Sequence, residues 1–99
     1  KMNDLYRLLK KKNIELSIGI YPWPGQILYD SRNSRQVEIW EEFCKDKCKN
    51  FYNLFDFFFD EIKNLQSKKL VIEKYYLDGD VHFNEEGNLA VANELLKKY

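Results

Sequence analysis

Between residues 14 and 20 the sequence reads IELSIGI, with Ile14, Leu16, Ile18 and Ile20 on every second position and Pro22 and Pro24 close behind. Alternation with period two puts four aliphatic side chains on one face of an extended strand. Proline lacks a backbone N–H and cannot continue a ladder, so the strand must stop in a turn or loop. This segment constrains the fold most because the stretches on either side of it carry helical periodicity. Leu5, Leu8 and Leu9 share one helical face over residues 3–12, with Asn3 or Asp4 near the N-cap position. Val37, Trp40, Phe43, Cys44 and Cys48 recur at helical spacing behind Ser34, a suitable cap.

Farther along, NFYNLF reads as a short aromatic strand, and DFFFDEIKNLQSKK fits either loop or helix. LVIEKYYL, rich in β-branched and aromatic residues, reads as a third short strand. The closing NEEGNLAVANELLKKY reads as a helix. Asn84 caps it, Glu85 and Glu86 suit its positive end, and Leu89, Ala92, Leu95 or Leu96 and Tyr99 form the expected apolar face. Alternating helices and strands predict an α/β layer architecture with parallel strands. Ligand sites in such sheets gather at the carboxyl ends of the strands. The segments YPWPGQ, FDFFFD and DGDVHFN all fall on that edge and are expected to meet there.

Sixteen basic and sixteen acidic residues cancel among the 99. A nucleic-acid partner is not expected, because phosphate neutralisation relies on a basic surplus. The run Lys10-Lys11-Lys12 suits the negative end of a helix. No apolar run approaches the roughly 20 residues of a membrane-spanning helix, and the opening residues lack the apolar core of a secretory leader. With no linker or repeat, residues 1–99 form one expected domain, and the opening at Lys1 reads as the interior of a longer reading frame. Cys44 and Cys48 cannot make a four-ligand zinc site alone. They are expected as buried free thiols, or as a local disulfide if the helix ends between them, which would imply export from the cytoplasm.

The only histidine, His82, lies in DGDVHFN with Asp78 and Asp80 just ahead. A neutral imidazole can take a proton from a hydroxyl only with the right tautomer and aim, and a carboxylate accepting from its other ring nitrogen sets both. Asp80, two residues away on one loop, is placed for that role, with Asp78 less direct. Asn84 and the following helix would anchor the loop. The bland alternative is a capping loop with an Asp-Gly turn. A metal loop built on Asp78, Asp80 and His82 is also conceivable. It does not fit an EF-hand, which needs Gly and an acid where Phe83 and Leu89 stand.

GDVHFNEEGNLAVANELL resembles the last conserved block of SGNH/GDSL-type hydrolases, in which an Asp and a His precede a polar loop, a Gly and the C-terminal helix. Asp80-Val81-His82-Phe83-Asn84 matches the Asp-x-His variant found among polysaccharide O-acetyltransferase-like relatives, with Gly87 at the family's glycine, and LSIGIYPWP resembles the strand ahead of that block. The resemblance implies a three-layer, flavodoxin-like parallel sheet, of which this chain is the C-terminal half. It also implies catalytic roles for His82 and Asp80 in a serine esterase or acyl-ester hydrolase, without metal or cofactor, acting on a small-molecule or glycan acyl ester.

The family's Gly-Asp-Ser nucleophile motif is missing. Ser17, Ser31, Ser34 and Ser67 have no Gly-Asp before them, and Tyr29 stands where Gly should precede Asp30-Ser31. The nucleophile and oxyanion-hole groups are therefore expected outside these residues, and the chain alone is expected to be inactive. FDFFFD would be core packed against absent elements, or a lipid pocket. The alternatives are an O-acetyltransferase-like fragment and a non-catalytic α/β interaction module using Trp23, Trp40 and the Phe cluster.

Overall fold

In the computed structural model, which describes residues 1–98, helices outnumber strands six to two. The order is α1 (Met2–Lys11), β1 (Ser17–Ile20), α2 (Pro24–Tyr29), α3 (Arg35–Cys44), β2 (Asn50–Asn53), α4 (Phe55–Leu65), α5 (Lys68–Tyr75) and α6 (Glu85–Lys98). β1 and β2 pair in parallel, Ser17 opposite Asn50 through Ile20 opposite Asn53. The two strands are the whole sheet among the described residues. The expected three-layer, flavodoxin-like sheet is therefore not the architecture of this chain.

Two sequence readings account for the difference. LVIEKYYL is α5, not a strand. Gln66 adopts a left-handed φ of 57° and ends α4, and the Ser67 hydroxyl then accepts the Leu70 N–H at 3.2 Å to start α5. Val71 and Tyr75, one turn apart, are buried together. Burial of that pair overrides the β propensity of the run. Likewise YPWPGQ is only partly a loop. Pro24 opens α2, where its missing N–H costs nothing, and the Gln26 carboxamide accepts the Trp23 N–H at 2.9 Å.

Most other elements follow the sequence closely. The Ser34 hydroxyl caps α3 through the Val37 N–H at 3.3 Å. The ambiguous DFFFDEIKNL is helix α4, which the Asn53 side chain helps start by accepting the Phe55 N–H at 3.1 Å. β1 is shorter than the aliphatic alternation. It begins at Ser17, leaving Ile14 exposed ahead of the sheet. α1 forms as expected but buries none of its residues fully.

Cys44 and Cys48 are joined as a disulfide rather than free, with Cα atoms 4.6 Å apart. α3 ends at Cys44, and the N–H groups of Lys47 and Cys48 both turn back to its carbonyl at 3.2 and 3.1 Å, which brings the two sulfurs together.

The core has two parts. Ile20, Val37 and Phe55 hold α3 and the start of α4 against the sheet. Ile27, Leu54, Phe58, Val71, Tyr75 and Tyr76 join α2, α4 and α5, with Phe83, Ala90 and Val91 packed on them. FDFFFD supplies ordinary core: Phe55 and Phe58 are fully buried. α6 turns inward a face that shares only Leu95 with the expected one, Leu89 and Ala92 being exposed. Gly87, Ala90, Val91, Glu94 and Leu95 face the body, while Leu89 and Leu96 are 62% and 75% exposed. Tyr99, the last residue of the expected face, lies outside the described residues.

The Glu61 carboxylate, on α4, accepts hydrogen bonds from the Tyr75 hydroxyl and from Asn64 at 2.8 Å, with Lys74 at 3.8 Å. These donors, Tyr75 first, hold its carboxyl below the ordinary value of 4.5. Its ionised form therefore contributes stability fully above that value, and the contribution is lost as pH falls through the depressed one. Acid titration of unfolding free energy should show this loss, and Glu61→Gln should flatten it. Phe58→Ala, which empties the centre of the core, should lower unfolding free energy in urea by about 3–5 kcal/mol.

Candidate active site

The loop carrying His82 is a closed hairpin rather than a free excursion. An isolated antiparallel bridge pairs Tyr76 with Phe83 at its base. Above the bridge the Leu77 N–H donates to the His82 carbonyl at 2.9 Å, and the Asp80 N–H donates to the Leu77 carbonyl at 3.1 Å. The chain reverses through Gly79, whose φ of +68° suits glycine at the third position of a tight turn. Asp-Gly is thus a turn dipeptide here, as its composition suggests, and the turn serves to aim the next three residues.

Asp80 organises the tip. A single carboxylate oxygen accepts the Val81 N–H at 2.6 Å and the His82 N–H at 3.3 Å, and meets His82 Nδ1 at 2.7 Å. The histidine contact first, and the Val81 amide second, hold the Asp80 carboxyl below its usual range. An aspartate that stays ionised favours the tautomer with hydrogen on Nδ1, which leaves the Nε2 lone pair free to accept a proton. The His82 side chain is 75% exposed and Asp80 45%. Solvent screens the pair, so its value is orientation rather than stability. Acidification through the depressed Asp80 value removes the acceptor and the orientation with it.

Alternation along the hairpin sends His82 outward and Phe83 inward. The Phe83 ring lies 5.7 Å from that of Phe58 and nearly parallel to it, 4.9 Å from Tyr76 and 4.7 Å from Tyr21. Tyr76 in turn donates its hydroxyl to the Pro22 carbonyl. The three segments expected at one edge do meet, around Phe83, although FDFFFD arrives as the start of a helix. Sequence reading matched Phe83 only as part of the Asp-x-His block, without a packing role, and passed over Tyr21 and Tyr76. The available signal was the alternation of His82 with an aromatic neighbour, which marks one side chain of the pair for the core.

Asn84 and Gly87 fix the hairpin from below. The Asn84 amide nitrogen donates to the carbonyls of Lys74 at 3.0 Å and Tyr76 at 3.3 Å, at the end of α5. Its amide oxygen accepts the Gly87 N–H at 2.8 Å, capping α6, and its own N–H donates to Tyr75 at 3.0 Å. One side chain therefore clasps two helices and the hairpin. α6 approaches so closely that a Cβ on Gly87 would fall 2.0 Å from the Tyr75 carbonyl and 3.0 Å from Phe83. This contact also sets the rotation of α6, which is why Ala90 and Val91 face inward instead of Leu89.

Among the described residues His82 Nε2 has no hydrogen-bond partner, and no serine hydroxyl is bonded to the pair. Ser34 and Ser67 are committed to helix caps. Among the described residues His82 pairs with Asp80 and not with Asp78, and no three His, Cys, Asp or Glu side chains gather as a metal set. None of the described helices is long and apolar enough to cross a membrane. The arrangement can accept, hold and return one proton at Nε2. Comparison with protein-family models, with curated proteins and with solved structures finds no match to this chain.

Gly87→Ala should dislodge the hairpin, because the obstacle is backbone and cannot swing aside. The His82 ring resonances should lose the signature of an Nδ1–H tautomer bonded to Asp80. Histidine 15N shifts identical to those of the unmodified chain would show that the close α6 contact does not hold the site.

Proposed function

We propose that this chain supplies the general-base pair of a serine-dependent acyl-ester hydrolase, the serine lying outside residues 1–99. The observation that carries the reading is the 2.7 Å contact between Asp80 and His82 Nδ1, with Nε2 left outward on a hairpin clamped at both ends. The match of Asp80, His82, Asn84 and Gly87 to the SGNH/GDSL block supports it, since each of the four has a distinct mechanical task here.

In this mechanism His82 Nε2 takes the proton of the serine hydroxyl as its oxygen adds to the ester carbonyl. Asp80 stays ionised and stabilises the imidazolium through Nδ1–H. As the tetrahedral intermediate collapses, Nε2 returns the proton to the departing alkoxide, and an acyl-enzyme remains. Water then repeats the cycle: His82 takes its proton, the hydroxyl adds to the acyl carbon, and the proton passes back to the serine oxygen as the acid leaves. Oxyanion donors come with the serine. Neither a metal nor a cofactor is required.

The experiment is to complete the reading frame ahead of Lys1 and assay release of the alcohol from short acyl esters. His82→Ala in the complete protein should lower kcat by roughly 10²–10⁴ while the thermal transition stays in place. Asp80→Asn should lower it by a similar factor. The 99-residue chain alone should turn over no faster than buffer. An unchanged kcat in His82→Ala, or a complete frame with no serine that reacts with a fluorophosphonate, would sink the reading.

A further inference from the structure

We propose that the outward face of α1 lies on an anionic lipid bilayer, with Leu5 and Leu8 entering below the headgroups and lysines reaching back to the phosphates. This surface belongs to other elements than the Asp80–His82 pair and does not depend on the hydrolase reading. The two sides of α1 differ. Met2, Tyr6 and Leu9 are partly buried, and Tyr6 and Lys10 line a groove against Asp46, Lys47 and Cys48. That side faces the body. At 3.6 residues per turn Leu5 and Leu8 project away from it, and they are 41% and 50% exposed.

Charge is arranged around those two leucines. Lys1 precedes Leu5 by one turn, Lys12 follows Leu8 by one turn, and Lys11 lies beside them, all three exposed. Asp4, the one acid of α1, is engaged by Arg7 at 3.6 Å. Among the described residues Lys1, Lys11 and Lys12 have no carboxylate partner. Residues 1–12 hold five of the sixteen basic residues and one of the sixteen acidic ones, a surplus of four positive charges, which leaves residues 13–99 with four negative charges in excess. A chain that is neutral as a whole is therefore polarised, with α1 as its cationic end. The helix dipole accounts for lysines at the C-terminal end of α1. It does not account for leucines held in water between them.

A bilayer interface is the complement of this strip. A single helix offers a convex face, which suits a broad surface, and its apolar side chains sink below the headgroups while lysine stems extend upward to the anionic layer. Anionic lipid attracts α1 and repels the acidic remainder, so the same charge separation that draws the chain in also orients it. α1 is already formed on the folded chain, so association does not have to bear the entropy of making a helix.

The test is co-sedimentation of the 99-residue chain with vesicles of phosphatidylcholine containing about a quarter phosphatidylserine. Binding should exceed that to pure phosphatidylcholine by about tenfold or more and fall as salt shortens the screening length. Amide exchange over residues 5–12 should slow by about tenfold on the vesicles while β1 and β2 change little. Leu5→Gln with Leu8→Gln, and separately Lys11→Gln with Lys12→Gln, should each weaken binding by about tenfold, with the thermal transition in place. If a variant unfolds, exchange in the unmodified chain decides. Equal binding to both vesicles, or binding with α1 still exchanging freely, would overturn the proposal. So would full binding by the leucine variant, which would reduce the contact to charge alone. Protection of residues 5–12 that grows with chain concentration in the absence of lipid would assign the strip to a second copy and overturn the bilayer.

Discussion

The seating of Phe83 is the contact on which the candidate site depends. Its ring closes the core made by Phe58, Tyr76 and Tyr21, and burying it leaves the preceding side chain no direction but outward. A large aromatic contributes both apolar area and ring–ring geometry, so the hairpin is held by the same packing that holds α4 to α5. His82 needs no core contacts of its own. The aspartate that aims it lies within the same turn, and both are carried by the neighbour that is buried.

Asn84 and Gly87 convert that anchor into a rigid mount. An asparagine has two donors and an acceptor on one planar group, and here all three are used, on the carbonyls of Lys74 and Tyr76 and on the Gly87 N–H in the first turn of α6. Aspartate could cap α6 but could not donate to the carbonyls, and serine could not reach both sides. Gly87 then permits α6 to lie against the Tyr75 carbonyl. A positioned base must keep its aim to a fraction of an ångström. A site on an exposed hairpin reaches that only when the hairpin is tied to helices on both sides.

Local chemistry was legible wherever a residue acts through its own backbone or its immediate neighbours. Ser34, Asn84 and the Asp-Gly turn behave as their side chains dictate, because capping and turn formation are decided within three or four residues. Helical spacing correctly marked α1, α3 and α6, and alternation marked β1. Legibility failed where a short apolar run has two viable conformations. LVIEKYYL satisfies strand propensity and also places Val71 and Tyr75 one turn apart, and only the presence of Phe58 across the core chooses between them. The cysteines were undecidable for a similar reason: four residues apart, they fit one helix face or one tight turn, and the end of α3 at Cys44 selects the turn.

What the sequence determined by itself is the acid–histidine pair and its mount: Asp80 two residues before His82, a turn dipeptide ahead, a cap and a glycine behind. Those relations are local, so the physics that sets them operates at short range in any fold that contains the segment. Tertiary structure decided the rest. It reduced the sheet to two strands by making the third a helix, and it rotated α6 about the Gly87 contact so that Leu89 and Leu96 face outward. It also gathered Tyr21, Phe58 and Tyr76 around Phe83 from positions up to 62 residues apart. Side chains that far apart meet only when burial of their combined apolar surface outweighs the entropy of closing the chain between them, and no local pattern encodes that balance.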